Sequence, residues 1–336
     1  MRWLACAPGP NFSVHDVHVG WVEALRAVGE TVVDFPLGSA MTFYDSVLIQ
    51  TGPAEVRKAL DGQRATELAA DRLAGALWKV RPDVLLITSG FFVDPLFLDI
   101  ARRDGVRVVY LATEQPYELT REVELARHCD ITLVNDPTTL DHFDGVARYQ
   151  PHSYRPAVHR PGQTRPELAA DFAFVGTAYA SRVAFFEALD LAGLDVLLAG
   201  NWQQLAEDSP LRPYVIGNPD DCLDNDRTAD IYRSAKVGIN LYRREGETAA
   251  GWAVGPREVE LAACGAFFLR DPRPEGDQLF PSLPTFLDVG EASDLIRWWL
   301  AHPSARQAAA AKAREAVADR TFDNAVAALL RLIEKG

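Results

Sequence analysis

The 336-residue sequence is poor in cysteine and has no long apolar run. Its four cysteines are far apart and form no Cys-x-x-Cys pair, which argues against a structural metal site or a redox pair. Because isolated cysteines are typical of reducing compartments, we expect a cytoplasmic protein. No stretch approaches the roughly 18 apolar residues of a membrane-spanning helix, so we expect no membrane span.

Positive charge is also scarce. Lys and Arg together number 34 against 47 Asp and Glu, a net charge of -13. Phosphate neutralisation supplies most non-specific affinity for nucleic acid, so this balance argues against nucleic acid as a partner. No Gly-x-Gly-x-x-Gly follows any predicted strand, which argues against an NAD-dependent dehydrogenase.

What the sequence does contain is a regular alternation of short apolar runs and amphipathic segments. In the first half it predicts strands at 2–7, 31–35, 84–88, 106–112 and 131–135, and helices at 16–28, 64–80, 94–103, 118–127 and 137–143. In the second half it predicts strands at 172–175, 196–199, 237–241, 266–269 and 285–289, and helices at 182–191, 229–234 and 257–264. The connection 36–53 shows little regular pattern, and a helical tail with breaks at 303 and 320–321 follows residue 291.

Strand–helix alternation predicts an α/β protein with parallel sheets. The proline-rich stretch 150–165 divides it, so we expect two Rossmann-like domains facing each other across a cleft. The predicted bounds are 1–155 and 166–310. A C-terminal helix at 311–336 is predicted to pack back towards the first domain.

Two loops at predicted strand ends in the second half carry candidate ligands for a phosphate. Gly176, Thr177 and Arg182 lie between a strand and a helix, where glycine lets the backbone approach a ligand and arginine adds charge. A tight strand-to-helix turn is the alternative interpretation of this segment.

The second loop follows Asn240 and contains Arg243, and its glycine-rich part, 246–256, leads into a helix. Such a loop, ending at Gly255, is a natural cradle for a diphosphate. Glu260, inside the helix, is suited to accept hydrogen bonds from a ribose diol. The alternative is a solvated helix face on which Arg257 and Glu260 pair at i, i+3.

Residues 171–334 resemble the glycosyltransferase group 1 domain of the CgeB-like (spore maturation protein) family. The segments that carry the resemblance are DFAFVG at 171–176, IYRSAKVGIN at 231–240, REVELAACGAF at 257–267 and TF at 285–286. The resemblance implies a GT-B fold that binds a nucleotide-diphosphate sugar, with a UDP-sugar favoured, and that requires no metal ion or separate cofactor. Trp252 stands where many relatives carry a second glutamate, which puts recognition of the sugar hydroxyls by a glutamate pair in doubt.

The resemblance also implies roles for the candidate donor ligands. Glu260 would face the ribose hydroxyls, and Asn240 would lie at the rim of the cleft. Arg257, Arg182 and the loop glycines would lie near the diphosphate.

A base for the acceptor hydroxyl is expected in the first half. The candidates follow strands: His15 and Asp16, with His18 beside them, and Glu114, in a turn similar to the acidic-Pro-aromatic turn of CgeB-like proteins. Asp16 as a helix cap and His18 on a solvated helix face are the alternatives, and a reaction that retains configuration needs no such base. The acidic loop at 220–226 is interpreted as a solvated turn.

The predicted function is transfer of a sugar from a nucleotide-diphosphate sugar to a hydroxyl of a protein, a glycan or a small metabolite. A nucleotide-sugar epimerase and a non-catalytic nucleotide-sugar-binding protein are the alternatives.

Overall fold

A computed structural model describes residues 1–10, 14–51, 62–217, 223–244 and 251–335, with the side chains of 47–51 left aside. Two compact units divide the chain: residues 1–151 with 322–336 form the first, and residues 152–321 form the second. Each unit contains one parallel sheet, so the predicted α/β class is confirmed.

The first unit contains a six-stranded sheet in the order β2-β1-β3-β4-β5-β6. Its strands are β1 Arg2–Cys6, β2 Thr31–Phe35, β3 Val84–Thr88, β4 Arg107–Ala112, β5 Ile131–Val134 and β6 Ala147–Tyr149. All five residues of β3 are buried, as expected for a central strand that helices cover on both faces.

Helices cover both faces of this sheet. They are α1 His15–Ala27, α2 Leu37–Thr51, α3 Gly62–Val80, α4 Pro95–Arg103, α5 Leu119–Ala126, the 3₁₀ helix Pro137–Phe143, and α12 Phe322–Lys335 from the end of the chain. Helix α12 packs against α1 through Trp21 and Phe322, whose ring centroids lie 6.3 Å apart. Its buried face joins the same apolar cluster as Trp3 and Leu86 of the sheet, so α12 is part of the core of the first unit.

The second unit contains a four-stranded sheet in the order β10-β9-β7-β8. Its strands are β7 Ala170–Val175, β8 Val196–Ala199, β9 Ala235–Asn240 and β10 Phe268–Arg270. Its α-helices are α6 Ala180–Ala188, α7 Asn225–Ser234, α8 Pro256–Ala263, α9 Pro274–Leu279, α10 Val289–Ala301 and α11 Pro303–Ala316, with 3₁₀ turns at Pro166–Leu168 and Arg212–Tyr214.

Three sequence-based predictions about elements were wrong. The connection expected to be irregular contains α2, whose apolar residues Leu37, Ala40, Met41 and Tyr44 have the i, i+3, i+4, i+7 spacing of a helix. The strand expected at 285–289 is reduced to one bridge between Thr285 and Arg270, because α10 already begins at Val289.

The third wrong prediction concerns part of the acidic loop at 220–226. Asp224 is the N-cap of α7 and accepts a hydrogen bond from the backbone N–H of Arg227 at 2.8 Å. The helix therefore starts four residues earlier than predicted, while Asp220 and Asp221 lie outside the described residues. None of the helices in the described part of the chain combines the length and apolar character needed to cross a membrane.

Candidate functional site

The carboxyl ends of β7 and β8 approach each other closely enough to require glycine. Gly200 has a φ of +106°, and a Cβ built on it would lie 2.7 Å from the carbonyl oxygen of Gly176. A Cβ on Gly176 would in turn lie 2.6 Å from a terminal guanidinium nitrogen of Arg257. The sheet edge that was predicted to bind the donor is therefore closely packed around Gly176.

Arg257 brings positive charge to this edge. Its Nε donates to the carbonyl oxygen of Val175 at 2.8 Å, and one terminal nitrogen donates to Oδ1 of Asn240 at 2.8 Å. Its guanidinium also lies over the ring of Phe174, 5.0 Å from the centroid. Asn240 is 1% exposed, and its Nδ2 is a buried donor with no hydrogen-bond partner.

Arg182 is held by the backbone at the same edge. Its Nε donates to the carbonyl oxygen of Leu241 and a terminal nitrogen donates to that of Thr177, each at 3.0 Å. The side chain is buried, so it ties the segment after β7 to the segment after β9. The guanidinium of Arg243 lies 5.8 Å from the ring centroid of Tyr179.

Glu260 is half-buried and lies on α8, about one helical turn after Arg257. Asn225, the first residue of α7, donates to its carboxylate at 3.4 Å. The pKa of Tyr232 is raised well above its ordinary value, by burial first and then by the charge of Glu260. The carboxylate thus lies beside the first turn of α7.

A buried carboxyl group that the sequence analysis missed anchors the start of α8. Glu258 is fully buried and accepts hydrogen bonds from the backbone N–H of Gly255, at 2.9 Å, and from the hydroxyl of Tyr242. Burial raises its pKa to about 7, against the lowering effect of these hydrogen bonds. The signal was present, because a glutamate at the third position of a helix that begins with Pro256 is the glutamate half of a capping box, while Gly255 has no side chain to supply the other half.

Glu275 anchors the neighbouring residues in the same way. Its carboxylate accepts a hydrogen bond from the backbone N–H of Val254 at 2.7 Å and pairs with Arg320 at 2.7 Å. Its own backbone N–H donates to the carbonyl oxygen of Trp252 at 3.1 Å. Buried carboxylates therefore fix the described part of the predicted diphosphate loop, whereas Gly246 lies outside the described residues.

In the first unit, His18 is buried and does not lie on a solvated helix face. One ring nitrogen is 3.0 Å from Oγ1 of Thr88, and the other is 2.9 Å from Oδ1 of Asp34. Burial opposes ionisation of Asp34, but the hydrogen bond and charge of His18, with Arg26 and His15, outweigh it and hold the pKa of Asp34 below its ordinary value.

The three candidate bases lie at two places in the first unit. His15 begins α1 and is exposed, and Asp16 is half-buried in the first turn, where Val14 and not Asp16 is the N-cap. Glu114 follows β4, and its backbone N–H donates to the buried carboxyl group of Glu122 at 2.8 Å. Burial raises the pKa of Glu122 to about 8.

Residues 182–331 match the protein family described as "Glycosyl transferase-like". This part of the chain is similar to that family. The match includes Arg182, Asn240, Arg257 and Glu260. No curated protein sequence matches the chain.

Solved structures extend the likeness from this segment to the whole chain. A sucrose-phosphate synthase from Thermosynechococcus elongatus is 13% identical with a TM-score of 0.68, covering 100% of this chain and 98% of the other. A glycosyltransferase from Rickettsia africae is 10% identical with a TM-score of 0.64, covering 99% and 98%. A trehalose-6-phosphate protein from E. coli bound with UDP-2-fluoro glucose is 12% identical with a TM-score of 0.63, covering 98% of both chains. These similarities show the GT-B fold.

Proposed function

We propose that this glycosyltransferase-type protein moves a sugar from a nucleotide-diphosphate sugar, with a UDP-sugar favoured, to an acceptor hydroxyl. The observation that carries the proposal is the convergence of Arg257, Asn240 and Gly176 at the carboxyl ends of β7 and β9. Arg257 and Asn240 lie inside the segment with the family match. Ligands of open parallel sheets bind at such strand ends. The UDP-sugar in the E. coli neighbour supports the choice of donor.

In this proposal different residues of the second unit contact different parts of the nucleotide-sugar donor. Arg257, supported by Arg243, stabilises the charge that develops on the departing diphosphate. The Nδ2 of Asn240 is a buried donor that a phosphate or sugar oxygen would satisfy. Glu260 accepts hydrogen bonds from the ribose, and no metal ion or separate cofactor is required.

The acceptor side belongs to the first unit. His15, Asp16 and Glu114 are the candidates for the base that removes the proton of the acceptor hydroxyl. The acceptor is a protein, a glycan or a small metabolite, and membership of the CgeB-like family remains part of this proposal.

The test is calorimetric titration of the protein with a panel of nucleoside diphosphates and their sugars. A ligand that binds only the folded state also raises the melting temperature, which gives a second readout. We expect one nucleotide to bind, with clearly lower affinity in Glu260→Ala and unchanged affinity in the control Glu291→Ala. If no nucleotide binds, the proposed function is wrong.

Product analysis with the selected donor separates the alternatives. An epimerase forms a new nucleotide sugar from the donor alone, and a non-catalytic binding protein binds without transfer or hydrolysis. A transferase releases the nucleoside diphosphate only when an acceptor takes the sugar.

A further inference from the structure

His159 is a buried histidine of the second unit that the proposed mechanism leaves unused. Its side chain is 1% exposed. Burial, together with the charges of Arg155 and Arg233, lowers its pKa to about 3, so the imidazole is neutral at any physiological pH. Its Nδ1 accepts a hydrogen bond from the backbone N–H of Arg155 at 3.3 Å.

This hydrogen bond determines which ring nitrogen carries the proton. A neutral imidazole has one donor and one acceptor nitrogen. Because Nδ1 accepts, the hydrogen is on Nε2, and Nε2 is buried with no hydrogen-bond partner. An unsatisfied buried donor is costly and is rarely left without a role.

The carboxylate of Glu260 is close to this donor. A ring nitrogen of His159 and a carboxylate oxygen of Glu260 lie within 4.8 Å of each other. Two atoms that each form a hydrogen bond of about 2.8 Å to one oxygen lie at most about 5.6 Å apart. A separation within 4.8 Å therefore allows a single oxygen to bridge the two groups.

The chemistry of the two groups restricts what that oxygen is. It accepts a hydrogen bond from the N–H of His159 and donates one to the carboxylate, so it must carry both a lone pair and a proton. A base carbonyl or an ionised phosphate oxygen lacks the proton. A hydroxyl group or a water molecule satisfies both partners.

We propose that His159 is a second ribose ligand, which donates from Nε2 to the same ribose hydroxyl that donates to Glu260. This inference rests on the proposed donor site. Glu260 stands three residues after Arg257 on α8, which places the hydroxyl about one helical turn from the charge assigned to the diphosphate. The pair therefore recognises a ribonucleotide and discriminates against a deoxyribonucleotide.

The test is a double-mutant-type cycle that removes the ribose hydroxyl from the ligand and the hydrogen-bond donor of His159 from the protein. Binding of UDP, 2′-deoxy-UDP and 3′-deoxy-UDP (or the same forms of whichever nucleotide the panel selects) is measured by calorimetry. For wild type we expect one deoxy form to bind at least about tenfold more weakly, because the missing hydroxyl forms two hydrogen bonds, one of them to a charged group. In His159→Ala the ribonucleotide itself binds more weakly, and the deoxy penalty shrinks to the part that the hydrogen bond to Glu260 contributes.

Two further variants make the cycle interpretable. His159→Gln retains a side-chain N–H donor and is expected to recover part of the deoxy penalty, which a merely structural role would not predict. His152→Gln is the matched control. The pKa of this histidine of the same segment is lowered by burial and then by the charge of Arg320, and its replacement is expected to leave the penalty intact. Thermal unfolding without ligand verifies that each variant is folded.

The outcomes separate the two levels of the proposal. If wild type binds no nucleotide, the proposed function fails and the role of His159 fails with it. If wild type binds UDP and both deoxy forms equally well, or if His159→Ala keeps the full penalty, the ribose contact of His159 is excluded while the donor site stands. Equal penalties in both proteins would assign the bridging oxygen to water.

Discussion

At the scale of single residues, Glu258 and Glu260 illustrate how two identical side chains acquire different roles. They stand two positions apart on α8, which places them about 200° apart around the helix axis. Glu258 therefore points into the unit and binds the N–H of Gly255, whereas Glu260 remains half-buried beside Asn225. The first is a structural anchor, and the second is the candidate ligand.

The raised pKa of Glu258 makes the stability of the protein depend on pH. A carboxyl group whose pKa rises from 4.5 in the unfolded chain to about 7 in the folded protein stabilises the fold fully below pH 4.5. That contribution is lost as the pH rises to about 7, because the folded protein must then bury an ionised group. Glu258→Gln cannot ionise, so relative to wild type it should gain up to about 3 kcal/mol of unfolding free energy between pH 4.5 and 8.

Denaturant unfolding of both proteins at each pH measures this difference. The comparison isolates Glu258 because the half-buried His152 and the buried His159, whose pKa values are lowered, titrate in the same way in both proteins. Glu122→Gln is a positive control, with its window extending to about pH 8. A constant difference between Glu258→Gln and wild type across the range would show that Glu258 has an ordinary pKa.

Arg257 makes contacts that a lysine cannot reproduce. Its planar guanidinium bonds Val175 and Asn240 in different directions, whereas an ammonium group is a point charge without that fork. We expect Arg257→Lys to lose about 1–3 kcal/mol of unfolding free energy, since it leaves buried acceptors unpaired. Donor affinity should fall at least about tenfold because the remaining charge is displaced.

The matched control is Arg297→Lys. Arg297 pairs with Asp190 on the surface, where solvent screening leaves an ion pair with little effect on stability. Calorimetric binding and denaturant unfolding are measured for both variants. Equal effects of the two substitutions would mean that the guanidinium of Arg257 has no special role.

At the scale of secondary-structure elements, the sequence predicted best the segments whose local pattern is unambiguous. The buried strands β2, β3 and β8 have the predicted bounds, since short apolar runs between turns leave little choice. Helix α2 was missed because Gly38 and Ser39 in its first turn have low helix propensity and hide the spacing of its apolar residues. Strand β6 is three residues long, too short to show any pattern.

The packing of α1 against α12 rests on Gly20. A Cβ on this residue would lie 2.2 Å from the ring of Phe322, so alanine cannot fit without moving the helix or the ring. We expect Gly20→Ala to destabilise the first unit by about 1–3 kcal/mol, the usual cost of overpacking. The melting temperature and denaturant unfolding measure this effect.

Gly75 is the matched control, because it also lies within a helix but a Cβ there meets nothing within 4 Å. Gly75→Ala should stabilise the protein by about 0.5–1 kcal/mol, since alanine restricts the unfolded chain and favours the helix. The two substitutions are chemically identical and differ only in their surroundings. If Gly20→Ala were also stabilising, the close contact with Phe322 would be wrong.

At the scale of the whole molecule, the site could be predicted from the sequence only in part. The segment around Arg257 and Glu260 is local and carries its own motif. The support for that segment is not local, because Glu275 reaches Val254 across 21 residues and pairs with Arg320 from the far end of the unit. Such pairings depend on how helices pack, which no short pattern in the chain encodes.

The return of the chain to its first unit gives a prediction about the whole protein. Helix α12 buries Val326 and Leu329 in the core of the first unit, and Arg107 donates to the carbonyl oxygen of Ile333 at 2.5 Å. Deleting residues 322–336 exposes the apolar surface that α12 covers. Each Å² of apolar surface exposed lowers the free energy of unfolding by about 25 cal/mol. We expect the first unit to unfold or to melt far earlier.

The second unit keeps its own core and the candidate donor residues after this deletion, so it should still bind the selected nucleotide. Calorimetric melting with and without nucleotide separates the two units, because ligand shifts only the transition of the unit that binds it. Glu334→Ala, which alters an exposed side chain of the same helix, should leave both transitions unchanged. Loss of nucleotide binding in the deleted protein, with the transition of the second unit intact, would mean that the donor site needs the first unit as well.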